Sequence, residues 1–79
     1  MTVKEFKEII EKEVNPVAVA QSDNGDVYVI DADNLKILAW ICGEEAEHFI
    51  SYSGLDNSDS WTALIAFAET LPAERGLPR

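Results

Sequence analysis

The chain has little of what usually holds a small protein together from outside its own core. Cys42 is the single cysteine among 79 residues, so no internal disulfide is available. One lone thiol fits a reducing compartment better than an oxidising one. His48 is the single histidine, and with one cysteine it leaves no ligand set at zinc spacing. No apolar run nears the ~18 residues that span a bilayer. Met1 to Glu13 alternates Lys and Glu with apolar residues and lacks the apolar core of a signal peptide. A cytoplasmic protein is therefore expected. Gly25, Gly43, Gly54 and Gly76 stand isolated and form no phosphate-cradling loop.

Positive charge is also scarce. Six Lys and Arg face fifteen Asp and Glu, for a net charge of −9. From Glu13 to Glu74 there are twelve acids and one base, Lys36. Such a field repels nucleic acid and anionic membranes and draws in basic surfaces. Direct nucleic-acid binding and membrane binding are thus set aside. A basic protein partner fits.

What is present reads as one α+β domain over residues 1–79, with 76–79 expected to fray. A domain of this size buries only roughly 60% of its unfolded surface. Thr2 and Glu5 form a capping box, and Val3, Phe6, Ile9, Ile10 and Val14 place an apolar stripe on a first helix. Glu8 and Lys12 stand in the favourable order for an i,i+4 pair, and Asn15-Pro16 ends the element. Period-two patterning follows. Residues 16–22, 27–31 and 35–41 predict three strands, joined at Asn24-Gly25, a strong hairpin signal, and at Asp33-Asn34. Residues 48–52 predict a fourth, edge strand, with a helical turn over 44–47 as the competing reading. A second helix, capped by Ser58 or Asp59, carries Trp61, Leu64, Ile65, Ala68 and Leu71 and ends at Leu71-Pro72.

Two-residue loops at both hairpins set a definite register. Val19 then faces Ile30, Ile30 faces Ile37, and Asp31 faces Lys36 as a cross-strand ion pair. Asp23 and Asp26 fall opposite each other. Val17, Val19, Tyr28, Ile30, Leu35, Ile37, Ala39 and Ile41 share the face that the helices cover. Ala18, Ala20, Val27, Val29, Leu38 and Trp40 share the other, and an uncovered apolar patch there marks a contact surface.

No catalytic constellation stands out. His48 could pair with Cys42 or Ser51, but no spacing supplies the third group that orients a base. The aspartate clusters at 23–26, 31–33 and 56–59 do not fit a calcium loop and are better explained as turn and cap chemistry. No cofactor or metal is expected, and the chain is read as a binding protein, not an enzyme. Its expected contact residues are Asp23, Asp26, Asp31, Asp33, Glu44, Glu45, Glu47 and Trp40. Ordered carboxylates of this kind can occupy the basic groove in which another protein holds nucleic acid.

The order helix, three strands, helix, together with small size and acidity, resembles small proteins encoded by bacteriophages and prophages. The ending Glu69-Thr70-Leu71-Pro72-Ala73-Glu74-Arg75 is similar to a Thr-Pro-x-x-Glu-Arg ending found in phage proteins of lactic-acid-type bacteria, with Leu71 inserted between threonine and proline. Some anti-CRISPR proteins share the layout and act by occupying the nucleic-acid-binding surface of a Cas effector. The resemblance implies a bacterial host and an inhibitor that mimics DNA. The alternative is a structural or regulatory homodimer with no nucleic-acid connection, joined through the Trp40 face.

Overall fold

Capping chemistry starts the chain's first element. In the computed structural model, which describes residues 1–13, 16–52, 55 and 57–76, the Thr2 hydroxyl accepts from the Glu5 amide at 3.3 Å. The Glu5 carboxylate accepts from the Thr2 amide at 3.0 Å. Helix α1 follows over Val3–Ile10 and buries Phe6 and Ile10. It closes at Glu11, earlier than Asn15-Pro16 predicts. Lys12 therefore lies past its end, and the helical pair is Lys7–Glu11 at 3.8 Å instead of Glu8–Lys12. Val14 and Asn15 lie outside the described residues.

Four antiparallel strands, β1 (Val17–Gln21), β2 (Val27–Asp31), β3 (Ile37–Ile41) and β4 (Phe49–Ser51), form one sheet in the order β1-β2-β3-β4. Helix α2 (Ser58–Glu69) and a 3₁₀ turn (Pro72–Glu74) complete the chain. The α+β class, the meander and the fourth strand are as expected. Asn57 caps α2 in place of Ser58 or Asp59, its side chain accepting from the Asp59 amide at 2.9 Å. The Glu13 carboxylate in turn accepts from the Asn57 amide at 3.1 Å, tying the end of α1 to the start of α2.

The register differs from expectation by one residue, and this turns β2 over. Val19 faces Val29, and Ser22 faces Asp26, because the first hairpin closes on three residues, Asp23-Asn24-Gly25. The Gly25 amide donates to the Ser22 carbonyl at 3.0 Å, and Gly25 takes φ +89. That is a turn followed by a left-handed residue, the usual three-residue hairpin. Asp23 and Asp26 are accordingly not opposed. At the second hairpin Ile30 does face Ile37, but a bulge at Leu38 shifts the pairing so that Val29 faces Ala39 and Tyr28 faces Trp40. Because side chains alternate, the slip moves the β2 set to the other face, Val27 and Val29 replacing Tyr28 and Ile30, while Val17, Val19, Ala39 and Ile41 keep the expected side.

The covered face is therefore built from Val17, Val19, Val27, Val29, Leu38, Ala39 and Ile41, with Phe49 on β4. Phe6 and Ile10 of α1 and Ala63, Leu64, Phe67 and Ala68 of α2 pack onto it. Phe6 and Phe67 stack with centroids 4.6 Å apart. Each such buried ring stabilises the fold by about 2–3 kcal/mol. Val27, Val29 and Leu38, expected in the exposed patch, are core residues. Leu35, expected in the core, is 76% exposed and sits at φ 62 in the second turn. Its conformation closes that turn, its amide donating to the Asp31 carbonyl at 2.8 Å.

One arginine locks this layer. Arg75 is fully buried: Nε donates to the Thr70 carbonyl at 3.0 Å, and the two terminal nitrogens to the Cys42 carbonyl at 2.5 Å and the Ala68 carbonyl at 3.0 Å. The guanidinium lies 5.1 Å from the centre of the Phe67 ring. Two of those carbonyls end α2, where unpaired acceptors and the helix dipole favour a cation. Burial lowers the pKa of this group from its ordinary value, but that value is high enough to keep it charged. The Arg75 carbonyl also accepts from the Val3 amide at 2.7 Å. One residue thus joins the start of α1, the end of α2 and the end of β3. Residues 77–79, the rest of the expected frayed tail, lie outside the described residues.

Candidate binding site on the open sheet face

With both helices on one side, the described residues leave the other side of the sheet uncovered. Pairing places Ala18, Ala20, Tyr28, Ile30, Ile37, Trp40 and Ile50 there. Tyr28, Ile37, Trp40, Ile50 and Tyr52 line an open concavity of about 360 Å³. Ile50 is 47% exposed and Tyr52 60%. Of the face expected from sequence, Ala18, Ala20 and Trp40 remain on this side, and of these Trp40 alone lines the concavity. Tyr28, Ile37, Ile50 and Tyr52 were missed. For Tyr28 the signal is Gly25: glycine as the third residue of Asp23-Asn24-Gly25 permits the three-residue loop that moves Tyr28 outward.

Trp40 is held firmly at the edge of this concavity. Its indole Nε1 donates to Asp26 Oδ2 at 3.0 Å, while Asp26 Oδ1 accepts from the Gly43 amide at 2.7 Å. The His48 ring meets the indole edge-on, with centroids 5.3 Å apart and planes at 85°. Gly43 is needed for this clasp. A Cβ there would come within 2.2 Å of the Gly25 carbonyl carbon, so only glycine lets the chain after β3 lie against the first hairpin.

The expected carboxylates fall in two groups. Asp23, Asp26, Glu44, Glu45 and Glu47 gather at the end of the sheet where Gly25 meets Gly43. Asp31 and Asp33 lie at the second hairpin, at the far end of the five-residue strand β2, roughly 17 Å away. They do not form one stripe. Two of them have structural work: Asp26 in the clasp, and Asp31, whose Oδ1 accepts from the Asp33 amide at 2.8 Å and the Asn34 amide at 3.3 Å. The Asp31–Lys36 ion pair is replaced by a backbone bond from the Asp31 amide to the Lys36 carbonyl at 2.8 Å. Glu45 lies 3.5 Å from His48 Nδ1. Glu47 sits at φ 63, and its amide donates to the Ala68 carbonyl at 2.8 Å. Asp23, Asp33 and Glu44 are exposed.

No family model, curated protein or solved structure matches this chain. The site must be judged on its own chemistry.

Cys42 and His48 are neighbours across β3 and β4, the Cys42 amide donating to the His48 carbonyl at 2.9 Å. The thiol accepts from the Glu44 amide at 3.5 Å, and the imidazole faces Trp40 and Glu45. No hydrogen bond joins thiol to imidazole among the described residues. Ser51 is turned to the covered side, opposite Ala39. Among the described residues, no three His, Cys, Asp or Glu side chains come together as a metal site, and no helix is long and apolar enough to cross a membrane. The arrangement offers an aromatic, apolar surface with carboxylates at its edge. Such a surface suits binding: Tyr and Trp combine a large apolar body with a polar tip, and both are enriched at interfaces.

Proposed function

We propose that this chain is a non-enzymatic binding protein that inhibits a basic, nucleic-acid-handling protein by occupying the surface that otherwise holds nucleic acid. The anti-CRISPR-like layout points to the same class of target. The observation that carries the reading is the open face itself. It exposes aromatic and apolar side chains and its four strands bear no Lys or Arg, Lys36 standing in the second hairpin beside Ile37, while Asp23, Glu44 and Glu45 lie at the other end. Lys4, Lys7 and Lys12 belong to the α1 segment on the opposite side of the sheet.

The test is capture from host lysate on the immobilised chain at low and high salt, followed by elution with duplex DNA. Charge pairs exposed to solvent are screened over roughly 8 Å at physiological ionic strength. Capture of a nucleic-acid-binding protein that weakens with salt and is displaced by DNA is expected. A captured protein that ignores both salt and DNA overturns the reading.

Self-association through the same face is the second reading, and the exposed Ile37 and Ile50 favour it. Salt separates the two. Screening relieves repulsion between copies of charge −9 and strengthens a homodimer, whereas it weakens the complex with a basic partner. Sedimentation across a salt series reads the sign.

A further inference from the structure

We propose that the open face takes an arginine side chain from its partner, the guanidinium stacked on Trp40 and flanked by Tyr28 and Tyr52; this rests on the binding function above. Three observations lead to it. First, the indole is fixed before any partner arrives, by Asp26 at 3.0 Å from Nε1 and by the perpendicular His48 ring, its centroid 5.3 Å away. A rigid ring loses little freedom when bound. The carboxylate at its N–H also leaves the ring face more electron-rich, which favours a cation above it.

Second, Tyr28, Ile37, Ile50 and Tyr52 complete a mainly apolar concavity of about 360 Å³ around that ring. A guanidinium is planar and weakly hydrated and stacks on aromatic faces. An ammonium is compact and strongly hydrated, and gains less from such a seat. Third, the described residues of a second copy offer no exposed arginine. Its one described arginine, Arg75, is buried, and its described lysines lie on the α1 segment and in the second hairpin. With a net charge of −9, two copies also repel. That repulsion favours another protein as the source of the cation, and the acids at the Asp26 end complement the basic surface around it.

The probe is a capped peptide of alternating Arg and Gly, about ten residues long, compared with Lys and citrulline versions of the same length. The readout is the indole N–H resonance, of which the chain has two, from Trp40 and from Trp61 on α2. The Arg peptide is expected to move the Trp40 signal alone and to bind at least about threefold more tightly than the Lys peptide, with the citrulline peptide far weaker. Trp40→Phe should weaken Arg binding about fivefold, and the exposed Tyr52→Ala about twofold. The second variant lies at the sheet's rim and keeps the test open if the first unfolds.

Equal affinity for Lys and Arg reduces the effect to bulk charge and overturns the proposal. So does citrulline binding as well as Arg, a Trp61 shift matching that of Trp40, or no shift at all. A Trp40 signal that moves with protein concentration alone assigns the face to a second copy and overturns it too. If DNA-displaceable capture of a basic protein persists while the Arg peptide leaves Trp40 unmoved, the seat is wrong and the function stands. If the peptide binds but no such protein is captured, the function is wrong instead.

Discussion

The two faces of the sheet are made by the same strands, often by adjacent residues, yet they differ in kind. The side under the helices is aliphatic but for Phe49: Val17, Val19, Val27, Val29, Leu38, Ala39 and Ile41, met by Phe6 and Phe67. The outer side carries the tyrosines, Trp40 and the isoleucines Ile30, Ile37 and Ile50. Branched aliphatics fit closely beneath a helix and have no polar atom to satisfy. Tyrosine and tryptophan keep a polar tip that water or a partner can reach. Apolar surface spent on folding is thus set apart from apolar surface that stays open to solvent.

The largest expected effect comes from the lock on the covered side. Arg75→Met keeps much of the side chain's volume but leaves the carbonyls of Cys42, Ala68 and Thr70 without their donor. Losing several bonds of this kind costs about 3 kcal/mol, a large share of the stability of a small domain. Arg75→Lys should recover only part of it, because an ammonium cannot reach three carbonyls in the same fork. Chemical denaturation measures both. A variant as stable as the parent would show that the layer closes without the guanidinium.

Next comes the pair of neighbours that defines the two faces. Val29→Ala removes buried methyl groups and should cost about 2 kcal/mol, mostly as lost burial and a residual cavity. Tyr28→Ala, one residue away on the outer side, should cost much less and weaken partner binding instead. The one-residue slip expected from two-residue hairpins would reverse these outcomes. Unfolding midpoints for the two variants, measured side by side, therefore test the register directly.

That slip also marks how far the chain could be read from its residues. The capping box at Thr2 and Glu5, the four strands and the second helix are local features, set by spacing within a few residues, and were legible. Which face β2 buries, and how β3 enters the sheet, depends on one loop residue, Gly25, and on the bulge at Leu38. Neither changes the alternating pattern within any single strand. Arg75 was illegible for a different reason. Its three acceptors come from residues 42, 68 and 70, and no spacing rule joins them. Among the site residues, Trp40 was found, but its clasp by Asp26 was not, since the contact spans two hairpins. The same contact turns one expected surface carboxylate into part of the scaffold.

The smallest effect concerns the edge of the covering layer. The Thr2 backbone amide, and then its hydroxyl, donate to the Glu5 carboxylate and hold its pKa below the ordinary glutamate value. A carboxylate whose pKa is lowered in the folded state stabilises that state above its unfolded pKa. The contribution fades as pH falls through the lowered folded value. Glu5 is fully exposed, so solvent screens the interaction and the effect on global stability is slight. Glu5→Gln retains an acceptor for the Thr2 amide but has no charge to lose. The parent should therefore exceed this variant in stability by a small, constant margin at neutral pH. The margin should close as acid titrates the parent's carboxylate. Amide exchange in the first turn of α1 offers the sharper readout, because fraying begins there while Phe6 still holds the helix to Phe67. A margin that widens in acid would mean that the charge works against the cap, and the capping box would then not be what anchors the cover to the sheet.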